Sequence, residues 1–136
     1  MLWFSPKTGQ KLWKQNRPSN AKAESLEAFS TPMPYTYKGR EELVIVGGDC
    51  LTGHDPKTGK ELWRWGTWNP SRIGHWRLVP SPAAGGDVIL ACAPKGGSVY
   101  AVKAGAKGEG AGKVTINRAA NPSATQFARE PARMSG

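Results

Sequence analysis

The residues best suited to chemistry lie in "GTWNPSRIGHWRLVP", Gly66–Pro80. Trp68, Arg72, His75, Trp76 and Arg77 crowd into ten positions. Aromatic rings interleaved with arginine can stack on a sugar, a quinone or a peptide, with the guanidinium supplying charge and donors. These five residues form a candidate ligand face. The alternative for the same residues is structural, with the indoles covering a sheet edge and the arginines solvated.

Other chemistries lack their residues. His54 and His75 are the two histidines, Cys50 and Cys92 the two cysteines, and none of the spacings is that of a zinc site. Cys50 and His54 stand at i,i+4, which on a strand is one face but about 13 Å apart. Asp49 and Asp87 border apolar runs, where turn polars are the default. No nucleophile elbow, phosphate loop or paired-carboxylate site is present. Asn69 is followed by Pro70, so it forms no glycosylation sequon. No catalytic residue and no metal ligand is assigned.

Composition sets the frame that must hold the ligand face. Of 136 residues, 17 are Gly, 11 are Pro and 6 are Trp. Gly plus Pro is above the usual level of about 12%. Such a chain suits short strands joined by turns rather than long helices. The net charge of +9 could attract nucleic acid, but no run of Lys/Arg and no motif supports that, and a basic surface is the plainer reading. No apolar run approaches the roughly 20 residues of a membrane-spanning helix. No signal peptide is read at the start of the chain. The sequence leaves a Cys50–Cys92 disulfide open; two buried free thiols are expected.

A repeat organises the chain. "SPKTGQKLWK" from Ser5 and "DPKTGKELWR" from Asp55 share Pro-Lys-Thr-Gly and Leu-Trp at an offset of fifty residues. Thr31-Pro32 is matched by Ser81-Pro82 at the same offset. "LVIVGG" at Leu43–Gly48 is matched by "VILACA" at Val88–Ala93, and "CLTGHD" at Cys50–Asp55 by "SVYAVK" at Ser98–Lys103. The apolar runs read as strands covered on both faces. Pro56 presets a turn and Gly59 supplies left-handed backbone, so Cys50–His54 and Lys60–Trp65 are expected to pair as a hairpin. One repeat is therefore four strands. They start near Thr31-Pro32 or Ser81-Pro82 and end on the strand with Trp13 or Trp63.

Asp55, Thr58, Gly59, Lys60 and Trp63 resemble the repeat of the pyrroloquinoline-quinone-type (PQQ) β-propellers. The first copy carries Ser5, Thr8, Gly9, Gln10 and Trp13, departing at the Asp and Lys positions. The resemblance covers roughly residues 1–115. It implies an all-β fold: a partial β-propeller made of four-stranded antiparallel blades. Residues 1–116 would hold the end of one blade, one full blade and most of another. Residues 117–136 would form a disordered or non-native tail. A third copy around Lys103–Lys113 is broken by the insertion "AKGEGA", and places Ile116 where Trp63 stood. The family tryptophan is a packing residue, so Thr8, Gly9, Trp13, Asp55, Thr58, Gly59 and Trp63 are expected to be structural.

The family holds both non-catalytic scaffolds and quinoprotein dehydrogenases. The dehydrogenases hold PQQ over calcium beside adjacent cysteines, which this chain lacks. The expected function is a non-enzymatic scaffold for protein or ligand binding, without cofactor. Its expected partners are the remaining blades of a parent propeller, or copies of itself, with other proteins on its face. The resemblance implies a periplasmic or extracellular setting for the parent protein. The alternative is a fragment of a PQQ-dependent dehydrogenase.

Overall fold

A computed structural model describes residues 1–66, 68–94 and 98–105, and the backbone of 108–109 and 113–116. Among these residues the chain is all-β apart from one 3₁₀ turn, Ala23–Leu26. The expected tail, 117–136, lies outside the described residues.

The strands fall into three sheets in chain order. β1 (Leu2–Phe4) pairs with β2 (Lys11–Lys14). β3 (Met33–Tyr37), β4 (Arg40–Gly47), β5 (Cys50–His54) and β6 (Glu61–Trp65) form an antiparallel meander. β7 (Ala83–Gly85), β8 (Val88–Cys92) and β9 (Val99–Lys103) repeat its first three strands. Each opening strand begins directly after its Thr-Pro or Ser-Pro. β3 contains Pro34, which is tolerated because β3 is an edge strand.

Turn chemistry sets these registers. Lys38-Gly39 and Gly48-Asp49 are two-residue hairpin loops with φ of 48°, 77°, 55° and 58°, the left-handed pair that follows strand twist. The two copied turns form the same bonds. Gly9 N–H donates to Ser5 O and Gly59 N–H to Asp55 O, both at 2.8 Å. Thr8 Oγ1 accepts from Gln10 N–H and Thr58 Oγ1 from Lys60 N–H, both at 3.3 Å. Ser5 Oγ and Asp55 Oδ1 each accept from the Thr N–H three residues on, so Ser5 keeps the acceptor role of the Asp it replaces. Gly9 and Gly59 sit at φ 67° and 74°.

Two features of the third copy depart from expectation. Gly108–Glu109, inside the insertion, forms β10, a short parallel strand on β6 (Gly108 opposite Trp63). The outer side of β6 is otherwise an open edge, and unpaired backbone groups there accept any extended segment. β11 (Lys113–Ile116) pairs antiparallel with β9, but Ile116 faces Val99, the first residue of β9. Trp63 faces Gly53, the fourth residue of β5. Ile116 therefore does not take the place of Trp63.

Burial follows the sheets. β5 is buried along its whole length, with Val44 and Val46 of β4 beside it. Trp65, Trp68 and Tyr100 cluster with ring centroids 4.8–6.0 Å apart, tying β6 to β9. Such contacts add about 0.5–1.5 kcal/mol each to simple area burial. The connectors also run side by side. Ser25 bonds Gly74, Ala28 bridges Leu78, Thr31 N–H donates to Ser81 Oγ, and the Tyr35 hydroxyl donates to Gly86 O. All four join residues about fifty apart.

Candidate functional site

The structure does not gather the candidate ligand face into one site. Trp68 is 4% exposed and belongs to the core. Arg77 is exposed and reaches back to Glu24 and Glu27 at 3.1 Å each. His75 is exposed and Trp76 half-buried, with the Trp76 backbone held by Ser25 Oγ at 2.9 Å. Arg72 lines a cleft.

That cleft is about 280 Å³, between the β4–β5 turn, the end of β6 and residues 69–72. Ser19, Asp49, Cys50, Arg64, Asn69 and Arg72 are on its wall. Asn69 is its clamp. Its side-chain NH₂ donates to Asp49 Oδ2 at 2.8 Å and to Ile73 O at 3.1 Å, and its Oδ1 accepts from Ile73 N–H at 2.9 Å. Arg72 N–H closes the turn onto Asn69 O, with Arg72 at φ 51°. Burial pushes the Asp49 carboxyl up, opposed by Asn69 and by the nearby Trp68 N–H. That indole N–H is buried and closes no hydrogen bond of sound geometry.

The floor of the cleft is cationic and tied down. Arg64 makes two 2.7 Å bonds to Glu61 and donates to Pro18 O and to Cys50 Sγ, the last at 3.2 Å. Burial opposes charge on Glu61, but the Arg64 bonds outweigh it and hold the carboxyl below its ordinary range. Burial raises the Cys50 thiol despite Arg17 and Arg64 beside it, so Cys50 is a poor nucleophile. Cys50 and Cys92 are both free; Cys50 is buried as expected, whereas Cys92 is only half-buried because it closes β8 near the sheet end.

Behind this floor runs a buried polar chain without a motif signature. Arg17 Nε donates to Thr52 Oγ1 at 2.7 Å, and its Nη groups donate to Gly47 O and Cys50 O at 2.7 and 2.6 Å. His54 Nδ1 lies 3.0 Å from Gly59 O and its Nε2 3.0 Å from Thr52 Oγ1. Both ring nitrogens are occupied, so His54 has none left for substrate.

The repeat residues sit between sheets. The Trp13 indole covers Gly59, where a Cβ would stand 2.6 Å from Cε3, and donates to Pro56 O at 3.0 Å. Trp3 stacks on the same indole, ring centroids 5.7 Å apart. Trp63 has a different seat, over Gly53 in its own sheet, and donates to Glu42. Glu42 is buried on β4 and also takes Arg40.

Among the described residues no three His, Cys, Asp or Glu side chains converge on a metal position. No helix among them is long and apolar enough to cross a membrane. The arrangement can bind through hydrogen bonds and charge. No family model, no curated protein and no solved structure matches this chain.

Proposed function

We propose that this chain is a segment of a PQQ-type β-propeller repeat protein and serves as a non-enzymatic scaffold for protein or ligand binding. One observation carries the reading. Trp13 of the first copy seats on Gly59 of the second, so one shared residue from each copy joins the two. The connectors support it by pairing at the same offset of about fifty residues.

The seat on the first copy is open. Among the described residues nothing lies within 4 Å of a Cβ at Gly9, although its turn has the same bonds as the turn at Gly59. On the other face of β1–β2, Leu2, Phe4 and Leu12 are 50–56% exposed. Both features suit the remaining blades of a parent propeller, or another copy of this chain. The parent works without a cofactor, in a periplasmic or extracellular setting.

Two measurements test this. Residues 1–116 joined in tandem should unfold at higher urea than a single copy, because a repeat array gains stability with each interface. Two halves that unfold independently, each like the single chain, would refute repeat assembly. Titration with PQQ and calcium should show no uptake. Stoichiometric binding would replace the scaffold with a quinoprotein dehydrogenase.

A further inference from the structure

We infer that His54 is a proton-sensitive latch: protonating it releases the β1–β2 hairpin from the central sheet while that sheet stays folded. The tautomer follows from the partners. Gly59 O is a carbonyl and can only accept, so Nδ1 carries the hydrogen. Nε2 is then an acceptor and takes the Thr52 hydroxyl hydrogen. Thr52 Oγ1 in turn accepts Arg17 Nε–H. Every donor in this chain has one acceptor, and His54 is neutral.

A proton added at Nε2 breaks that order. Nε2–H and Arg17 Nε–H would then both point at Thr52 Oγ1. The Thr52 hydrogen would be left with Ile45 O at 3.4 Å, a poor bond. The new imidazolium would face Arg17 from the connector and Arg64 from β6. Its one counter-charge, Glu61, is already taken by Arg64 in two bonds. Glu42 of β4 meets the Gly53 position, on the opposite face of β5 from Thr52 and His54. Burial and the two guanidiniums accordingly hold His54 below its ordinary value of 6.5, with Gly59 O and Glu61 opposing.

The release is local because the Thr52 hydroxyl that a charged His54 disturbs is an anchor of Arg17, three residues past the end of β2, while the Nδ1–H bond to Gly59 O is kept. The core residues Val44, Val46, Leu51 and Trp65 make none of the bonds named for His54 and Arg17. Linkage sets the size of the effect. Between the ordinary value and the lowered one, the ratio of open to closed rises up to tenfold per pH unit.

The test uses the full chain, with indole N–H and histidine ring signals followed by NMR from about pH 8 to about pH 5. Trp13→Phe assigns the Trp13 indole, and His75→Gln leaves His54 as the sole histidine. The Trp13 indole should move to a solvent-bonded position in a one-proton transition that coincides with His54 protonation, while Trp63 keeps its signal. In His54→Asn, which retains an N–H for Gly59 O but no titrating group, the transition should vanish. The latch is overturned if Trp13 and His54 change at different pH, if Trp13 stays fixed to about pH 5, or if Trp13 and Trp63 move together in global unfolding. Those three outcomes are read on His54-containing protein, so they hold even where His54→Asn fails to fold.

Discussion

Gly9 and Gly59 offer a matched pair for measuring what the inter-repeat seat contributes. Their turns have the same bonds and nearly the same φ, 67° and 74°. Alanine at either position costs about 1–2 kcal/mol for left-handed backbone. At Gly9 the added methyl meets nothing within 4 Å among the described residues. At Gly59 it would stand 2.6–2.9 Å from three carbons of the Trp13 ring. Overpacking of that kind adds about 1–3 kcal/mol. Gly59→Ala should therefore cost about 2–5 kcal/mol and Gly9→Ala about 1–2, the sums of those terms. Urea unfolding of both variants gives the difference. Repeating Gly59→Ala on Trp13→Ala completes a double-mutant cycle, and there the excess should disappear because the clashing ring is gone. If the two glycine variants agree within about 0.5 kcal/mol, the limit of additivity, Trp13 does not hold the turn and the argument for repeat docking fails.

Glu42→Ala leaves the Trp63 N–H buried without a partner and should cost about 3 kcal/mol in urea unfolding; a loss near zero would mean that water replaces the carboxylate freely. Asn69→Ala frees the loop from both Asp49 and Ile73, and should raise amide exchange at Ile73 at least tenfold while leaving Val44 and Val46 protected. Unchanged exchange at Ile73 would mean the backbone turn alone shapes the cleft. At mildly alkaline pH a thiol reagent should label Cys92 well before Cys50, followed by peptide mass spectrometry, because Cys50 is buried and its thiol is raised; equal rates would refute the burial of Cys50. Acid should weaken the Glu61–Arg64 contribution as pH falls below the ordinary carboxylate range. The Glu61 carboxyl is depressed in the fold, so its stabilisation is full above about 4.5 and lost beneath, which a pH series on Glu61→Gln would show as a flattened acid limb.

The strand plan was legible because turn residues carry local physics. Pro56 and Gly59 set the Asp55–Lys60 turn, with left-handed backbone at Gly59, and the apolar runs have nowhere to lie but in covered sheets. The repeat at Asp55 also marked Gly59 before any contact was known. What the sequence did not disclose is long-range. Arg17 lies in "NRPSN", a polar connector with no motif, and its acceptors are the Thr52 hydroxyl and backbone carbonyls of β4 and β5. Nothing in those residue types announces them. Trp68 reads as part of a candidate ligand face because it neighbours arginines, yet its large apolar ring packs on Trp65 and Tyr100. The two copied tryptophans look alike and differ in place. Where the first copy has Trp3 opposite Trp13, the second has Gly53 opposite Trp63, and that missing side chain lets Trp63 lie down in its own sheet.

The constant offset between touching connectors has a consequence for how such a chain grows. Thr31 meets Ser81 at a separation of 50 residues and Tyr35 meets Gly86 at 51. Closing a loop of that length costs roughly 3.5 kcal/mol of chain entropy plus a constant, from (3/2)RT ln n. A further unit adds the same loop again rather than a longer one. Contact order per unit is thereby fixed, so a chain extended by duplication keeps the closure penalty and the folding-speed class of its shortest ancestor.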